Sequence, residues 1–508
     1  MSTRRQYIVN IIWGWISAVA LIVNGMLVAP YLIRKLGTEQ YGIWALGLSL
    51  VEYFWVIDLG LRPATVKLTA EYRALENWGT LNSVISTAVV YSAVVGSLLM
   101  ALISLNAGFI SRFLHITNPS FALLIHVVSI SWAFGLVFNI FEAALEGFQR
   151  FDVTGRIFLS FVLLRSIALL TAAALGYGIR GMSIGLLSTQ LLMYTVFLLA
   201  LRHIYPRLRV SPRLATAKAG IEIWRYARQI LSAMLSARLI NSAIPALISR
   251  FLGVRSVTYY TVTQKTLDYA GDGIGRIGMI TAPRAADWMA RDQRPQLIRL
   301  AEYGNKYCLM LWIPVATWLW VYGDALFRLW ITPEFADKAS GLLPFMLLGY
   351  TFWLGQFVSA SILMGVGWYS EYSISLMVEA LLTTGGFVVI LPRFGLTGAV
   401  AWSSLLMFSN RCVNLSRIFA GKFKVELLPF VWRSYRMPLA LAVADVVGMR
   451  AVRMSWLHGG SWRELILSGV ANTLILGLAA FWLVIEPEHR AGAIHAAKWR
   501  VTRLFSSR

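Results

Sequence analysis

The chain is poor in charge and nearly free of cysteine. Asp, Glu, Lys and Arg make up 14% of its 508 residues, against roughly a quarter in an average soluble domain. An ordinary water-soluble surface cannot be built from so few charges. Cys308 and Cys412 are the only cysteines, each inside an apolar block. That excludes a disulfide framework, and two thiols are too few for a zinc site; both read as small core residues. The six histidines show no metal-ligand spacing. His126 alone lies well inside an apolar stretch, where a satisfied core position is expected. Long polar loops are missing too. The longest, Arg202–Arg228, holds a single acid, Glu222, which counts strongly against a membrane enzyme such as a polyprenyl-linked glycosyltransferase or polymerase with catalytic carboxylates on a large loop, and the chain is read as no enzyme. Gly273-Ile-Gly-Arg-Ile-Gly278 has dinucleotide-binding spacing, but that motif works only between a strand and a helix start. Here it lies in a helical apolar stretch, where Gly271 and Gly275 suit small-xxx-small packing.

What remains is hydrophobic. Apolar residues are 58% of the chain and mean hydropathy is +0.65, recurring in blocks of about 20 residues, the length of one membrane-spanning helix. Twenty Trp, 20 Tyr and 26 Phe suit a chain with many interfacial crossings. The alternating pattern of an outer-membrane barrel is absent. The basic start Met1-Ser-Thr-Arg-Arg5 runs straight into apolar sequence and reads as an uncleaved first helix. The fold class expected is therefore an all-α polytopic membrane protein with about fourteen spans. They are placed at Tyr7–Tyr31, Tyr41–Leu59, Asn82–Leu105, Leu123–Gly147, Ile157–Gly176, Met182–Leu201, Ile230–Ile248 and Val257–Ala282. Then follow Tyr307–Phe327, Leu342–Val366, Ile374–Leu391, Gly398–Ile418, a short thirteenth at Met437–Met449 that carries Asp445, and Leu465–Ile485.

The net charge of +22 sits in short loops, not in one basic domain, so nucleic acid is not an expected partner. With the amino terminus in the cytoplasm, about 30 of the 46 basic residues fall on that side and about 12 on the other. The expected site is thus the plasma (inner) membrane, multi-pass, with both termini cytoplasmic. The linker Arg202–Arg228 reads either as a segment lying on anionic lipid headgroups or as a solvated tether.

Repeats organise the chain further. Ile33-Arg-Lys-Leu-Gly37 after Pro30 is matched by Ser249-Arg-Phe-Leu-Gly253 after Pro245, with Gly37 and Gly253 216 residues apart. Gly178-Ile-Arg-Gly181 answers Gly395-Leu-Thr-Gly398, and Leu145-Glu-Gly147 answers Leu363-Met-Gly365, at offsets of 217 and 218. Six spans per unit is even, so the units enter the membrane in the same sense, related by a pseudo-twofold axis along its normal. The division expected is a lobe over 1–205, a basic linker over 206–228, a second lobe over 229–424, and an added helix pair with a basic tail over 425–508. Such an architecture suits an alternating-access carrier with its site between the lobes.

Pro30-Tyr-Leu-Ile-Arg-Lys-Leu-Gly37, Tyr41-Gly42, Asp58-Leu-Gly-Leu61 with Ala64 and Lys67, Ala144-Leu-Glu-Gly-Phe-Gln-Arg-Phe151 and Gly395-Leu-Thr-Gly398 together resemble the polysaccharide transporters. These are oligosaccharide flippases of the multidrug/oligosaccharidyl-lipid/polysaccharide (MOP) exporter superfamily. The resemblance implies movement of a polyprenyl-pyrophosphate-linked oligosaccharide to the outer leaflet, for O-antigen, lipopolysaccharide, capsule or exopolysaccharide assembly. Polysaccharide polymerases and glycosyltransferases would be its partners. The same superfamily holds lipid II flippases, also with fourteen spans, and cation-coupled drug exporters, usually with twelve; both stand as alternatives.

An ionisable group inside a span is costly and marks a functional candidate. Lys265, Asp268, Asp272 and Arg276 are spaced three, four and four, on one face of one helix. Lys265 and Arg276 would attract an anionic headgroup, with Asp268 or Asp272 taking a coupling proton or sodium ion; the alternative is a self-neutralised ladder. No cofactor is expected beyond that coupling H+ or Na+. Arg165, Arg238 and Asn241 are candidate cavity residues, the arginines alternatively interlobe salt bridges. Asn24, in a stripe with Asn10 and Ser17, and Asp58, a third coupling-ion candidate, could equally be helix glue. Glu142 and Glu146 share a face and are expected to pair with basic residues at that end, near Arg150.

Overall fold

The computed structural model describes residues 3–55, 61–148, 150–488 and 490–491, with side chains placed except at 3–22, 51–55, 226–242, 276–280 and 283. Asp58 lies outside the described residues, as do the side chains of Arg238, Asn241, Arg276, Asn10 and Ser17. Among the described residues every regular element is helical. The chain runs through α1 (Thr3–Trp55), α2 (Leu61–Ala74), α3 (Trp78–Leu105), α4 (Ala107–Phe113), α5 (Ser120–Gly147), α6 (Phe151–Ala174), α7 (Gly178–Ile204) and α8 (Ala217–Leu252). It continues with α9 (Val254–Ala290), α10 (Arg294–Trp330), α11 (Pro333–Ala339), α12 (Leu343–Leu354), α13 (Phe357–Gly365), α14 (Ser370–Met407), α15 (Leu415–Phe423), α16 (Leu427–Ser455) and α17 (Trp462–Ala479). Short π-helical stretches, Phe408–Asn414 and Ala480–Val484, lie between α14 and α15 and after α17.

Each of the fourteen expected spans is helical over its described residues, apart from one break at Gly355–Gln356 and the end residues Leu175, Gly176, Leu342, Val366 and Ile485. Eight helical segments among the described residues are long and apolar enough to cross a bilayer, by length and composition. One of them, Ser370–Phe423, is 54 residues long and carries two expected spans. The remaining expected spans lie in α1, α8, α9 and α16. The thirteenth is longer than its hydropathy suggested, because α16 extends the apolar segment through basic turns at both ends. Leu98 (66% exposed), Leu102 and Leu105 on α3 stand outward. On a spanning helix such a surface faces lipid tails, which removes the aggregation problem it would pose in water. The chain is a multi-pass membrane protein.

Packing divides the chain into two compact units, Met1–Val262 with Ala380–Leu396, and Thr263–Glu379 with Thr397–Arg508. In the first, α5 packs on α3 and α7, α6 on α1 and α7, and α8 on α1, α2 and α3. Its core joins Leu81, Val84, Ile85, Ile140, Phe148 and Phe197. The linker before α8 is docked and not a free tether. The Arg209 and Ser211 amides donate to Asn82 Oδ1 and Ser86 Oγ at 3.0 and 3.1 Å. Thr216 caps α8 and its Oγ1 lies 2.8 Å from Ser83 Oγ. Tyr72 donates to Glu222, and this bond pushes its phenol up to about 12.

In the second unit α10 is the hub, packing on α11, α12, α13, α16 and α17. The break between α12 and α13 frees backbone amides that a membrane interior cannot hydrate. Asn305 of α10 satisfies them: its Oδ1 accepts from the Val358 and Ser359 amides at 3.1 and 3.2 Å. Its Nδ2 donates to Gln356 Oε1 and Ser359 Oγ.

Candidate functional site

The charged face of α9 survives in part. Lys265 Nζ lies 3.8 Å from Asp268 Oδ2, one turn apart on the helix. Asp268 is turned inward and accepts a short hydrogen bond from the Tyr350 hydroxyl of α12, whereas Lys265 and Asp272 stand exposed. Ion pairs among the described residues do not include Asp272. The dinucleotide-like glycines sit mid-helix in α9, as their context required. Gly271 and Gly275 present a flat strip to aromatic rings: a Cβ on Gly271 would meet Trp353 at 3.4 Å, and one on Gly275 would meet Phe357 at 3.6 Å.

From that strip a polar and aromatic chain continues. The rings of Tyr350 and Trp353 are 5.5 Å apart edge to face, and the Arg411 guanidinium lies 5.6 Å from the Trp353 ring. Arg411 Nη2 is 2.8 Å from Glu379 Oε1, with side-chain exposures of 15% and 2%. Asn410 Nδ2 donates to Glu379 Oε2 at 2.8 Å and to the Ser375 carbonyl at 3.1 Å. Asn410, Arg411 and Asn414 all lie in the π-helical stretch Phe408–Asn414, a widened turn that re-aims side chains and recurs at functional sites. A guanidinium with its carboxylate fully satisfied is tolerable inside a membrane where either alone is not.

The first unit holds a second cluster around a cavity of about 470 Å³, whose lining includes Arg62, Asn139, Glu142, Arg165, Gln190 and Tyr194. Arg62 of α2 forks between two carboxylates one turn apart on α5, at 2.9 Å to Glu142 Oε2 and 2.7 Å to Glu146 Oε1. The expected pairing with a basic residue at that end of the span is present, and the partner is Arg62 and not the neighbouring Arg150. Arg150 instead holds Asp152 at 3.0 Å, with Arg156 at 3.2 Å on its other oxygen. Burial pushes the Asp152 carboxyl up, but the Arg150 hydrogen bond and both guanidinium charges outweigh it and hold it below its ordinary value. Gln190 Nε2 donates to Tyr194 Oη at 2.6 Å. Arg165 is half-buried in the cavity wall, and the ion pairs among the described residues do not include it. Asn24 is half-buried on α1.

The polysaccharide biosynthesis protein family matches residues 31–340, well over half of the chain. The chain belongs to this family. None of the curated proteins matches it in sequence. Its fold is similar to that of the lipid II flippase MurJ in an inward closed conformation, with a TM-score of 0.72 and 15% identity over 93% of this chain and 99% of that one. It is also similar to an inward-facing multidrug resistance MATE transporter of the MOP superfamily, at a TM-score of 0.64 and 13% identity over 84% and 96% of the two chains. A third, a MOP superfamily transporter from Pyrococcus furiosus, is described as having a binding pocket of reverse polarity that suggests a different function (TM-score 0.51, 14% identity, 80% and 96% covered). At these identities the likeness is one of fold.

Of the candidates read from the sequence, Lys265, Asp268 and Asp272 lie on α9 and Arg165 in the cavity wall of the first unit, whereas Arg62, Tyr350, Glu379 and Arg411, which the structure sets beside them or in the same clusters, were not among those candidates. Glu379 carried a readable signal, an acid within the apolar run Ile374–Leu391. Arg411 did not, since it reads equally well as the start of the basic segment that follows.

Proposed function

We propose that this protein is an alternating-access flippase that carries an anionic lipid-linked oligosaccharide, a polyprenyl-pyrophosphate conjugate, from the cytoplasmic to the outer leaflet of the inner membrane. The observation that carries the reading is the family match over residues 31–340, in a chain with the fold seen in a lipid II flippase. The charge inventory supports an anionic cargo. Lys265 is exposed on α9, Arg165 lines the cavity of the first unit, and the acids Glu142, Glu146 and Glu379 are each held by an arginine. A pyrophosphate requires available cations in a partly desolvated site. Asp268, Asp272 and Asp58 are the proton or sodium candidates, and polysaccharide polymerase and glycosyltransferases the expected functional neighbours.

A second reading, a cation-coupled exporter of drugs or small metabolites, is favoured by the likeness to a MATE transporter; flipping of lipid II is a third. One experiment separates them. In oriented vesicles from cells with and without the gene, the access of a glycosidase to the lipid-linked glycan is measured. The expected outcome is a glycan trapped on the cytoplasmic face after deletion, with Lys265→Ala reproducing the defect. Unchanged sidedness with new sensitivity to cationic toxicants would establish the exporter. Rescue of a strain lacking its lipid II flippase would establish the third reading.

A further inference from the structure

Basic residues that lie far apart in the sequence meet at one end of the second unit. Lys306 of α10, Arg433 and Arg436 in the first turns of α16, and Arg490 beyond α17 line a cavity of about 530 Å³ together with Glu302 and Glu486. Lys306 is nearly buried, with Nζ 2.8 Å from Glu486 Oε1 and 5.2 Å from the centre of the Tyr303 ring. Arg433 Nη1 lies 3.2 Å from Glu302 Oε1. Arg490 donates to the Trp482 carbonyl at 3.1 Å, and its guanidinium stands 4.9 Å over the Trp482 ring. Arg436 is exposed, and ion pairs among the described residues do not include it. Four cations thus share one cavity with two carboxylates.

Glu486 and Glu302 offset Lys306 and Arg433, which leaves the charges of Arg436 and Arg490 in excess, and like charges left in excess in a concave site repel one another unless a further anion joins them. The flank of the cavity indicates where that anion comes from. Trp482 and Leu483 of its lining are 61% and 58% exposed, and Leu428 and Trp432, on the same helix as Arg433 and Arg436, are 80% and 65% exposed, on or beside helices long enough to span the bilayer. Apolar residues there face acyl chains, and tryptophan settles at the headgroup level. A freely dissolved anion has no use for such a flank.

We propose that this cavity binds the headgroup of an anionic membrane phospholipid, favouring one with two phosphates. Arg436 and Arg490 take the phosphates, and the acyl chains lie along Trp432 and Leu483. The site lies in α10, α16 and α17 and is independent of which cargo the protein moves. Clusters of basic side chains between spanning helices at a charged leaflet recognise lipid headgroups by the same electrostatics.

Native mass spectrometry of the delipidated full chain, titrated with phosphatidylcholine, phosphatidylglycerol and cardiolipin, tests this directly. The wild type retains cardiolipin on the order of tenfold better than phosphatidylcholine. Arg436→Gln with Arg490→Gln abolishes that preference without changing phosphatidylcholine retention, and Arg436→Lys with Arg490→Lys keeps it. Arg207→Gln with Arg213→Gln, on the linker, leaves the preference intact. Matching size-exclusion and helical circular dichroism profiles show that the variants are folded, and Arg436→Gln alone gives a partial loss if the double variant is not. Equal retention of all three lipids by the wild type, or an unchanged preference in the glutamine pair, overturns the proposal. Complete displacement of cardiolipin by inorganic phosphate overturns it in favour of a soluble anion. A preference seen only after removal of residues 492–508 overturns it in favour of the chain's own basic tail.

Discussion

Glu379 and Arg411 show what a single ionisable residue costs in this protein. Glu379 is 3% exposed, and its carboxylate takes Arg411 on one side and Asn410 on the other. Removing one partner leaves the other charged, buried and unmatched, a loss of about 3–5 kcal/mol. Removing both leaves an apolar contact that can close up. Glu379→Ala is therefore expected to lower the thermal midpoint of the purified protein strongly, and Glu379→Leu with Arg411→Met to restore most of it. Differential scanning fluorimetry in detergent checks this, and a double variant no more stable than the single one would show that the pair is not what holds this region. Lys265 and Asp268 are a different case. At 3.8 Å, with Lys265 62% exposed, their ion pair contributes about 0–1 kcal/mol. Lys265→Ala is thus a clean functional probe, since its effect on folding is small.

At the scale of elements, the repeat is written in backbone conformation as well as in letters. Gly37 and Gly253 have φ of 81° and 80°, and Gly178 and Gly395 have 56° and 65°, in the left-handed region that a side chain disfavours. Each paired glycine lets the chain turn between consecutive helical arms. Gly147 and Gly365 match in another way. A Cβ on Gly147 would lie 2.8 Å from the Val66 carbonyl and one on Gly365 would run into the Ala282 carbonyl, and Val66 and Ala282 are themselves one repeat apart. Gly37→Ala is expected to cost about 1 kcal/mol from backbone strain alone, because nothing lies within 4 Å of its Cβ position. Gly365→Ala meets backbone that cannot give way and should cost more, on the scale of core overpacking, about 1–3 kcal/mol. Thermal midpoints of the two variants measured side by side would reverse this order if the contact at Ala282 were loose.

For the whole molecule, the distribution of basic residues predicts sidedness. Ser211 sits in the docked linker and Ser455 at the end of α16, on opposite faces in a fourteen-span topology. Both native cysteines are buried, so background labelling is low. Ser211→Cys is expected to react with a membrane-impermeant maleimide only after permeabilisation, and Ser455→Cys in intact cells. The reverse pattern would invert the topology.

The all-helical, membrane-spanning character and the positions of the apolar helices were legible in the chain, because hydrocarbon leaves a long apolar segment few options other than a helix with all its backbone bonds made internally. The duplication was legible because its glycines are required by backbone geometry, which a side chain cannot supply. The partners of the charges were not. Arg62 lies 80 residues before Glu142, Glu379 lies 32 before Arg411, and Lys306 lies 180 before Glu486. Helix spacing says which residues share a face, but nothing in it says which face of which other helix will arrive opposite. That was decided only by packing, which set Arg62 against Glu142 and Glu146, gave Asp268 to Tyr350, and gathered Lys306, Arg433, Arg436 and Arg490 around one cavity.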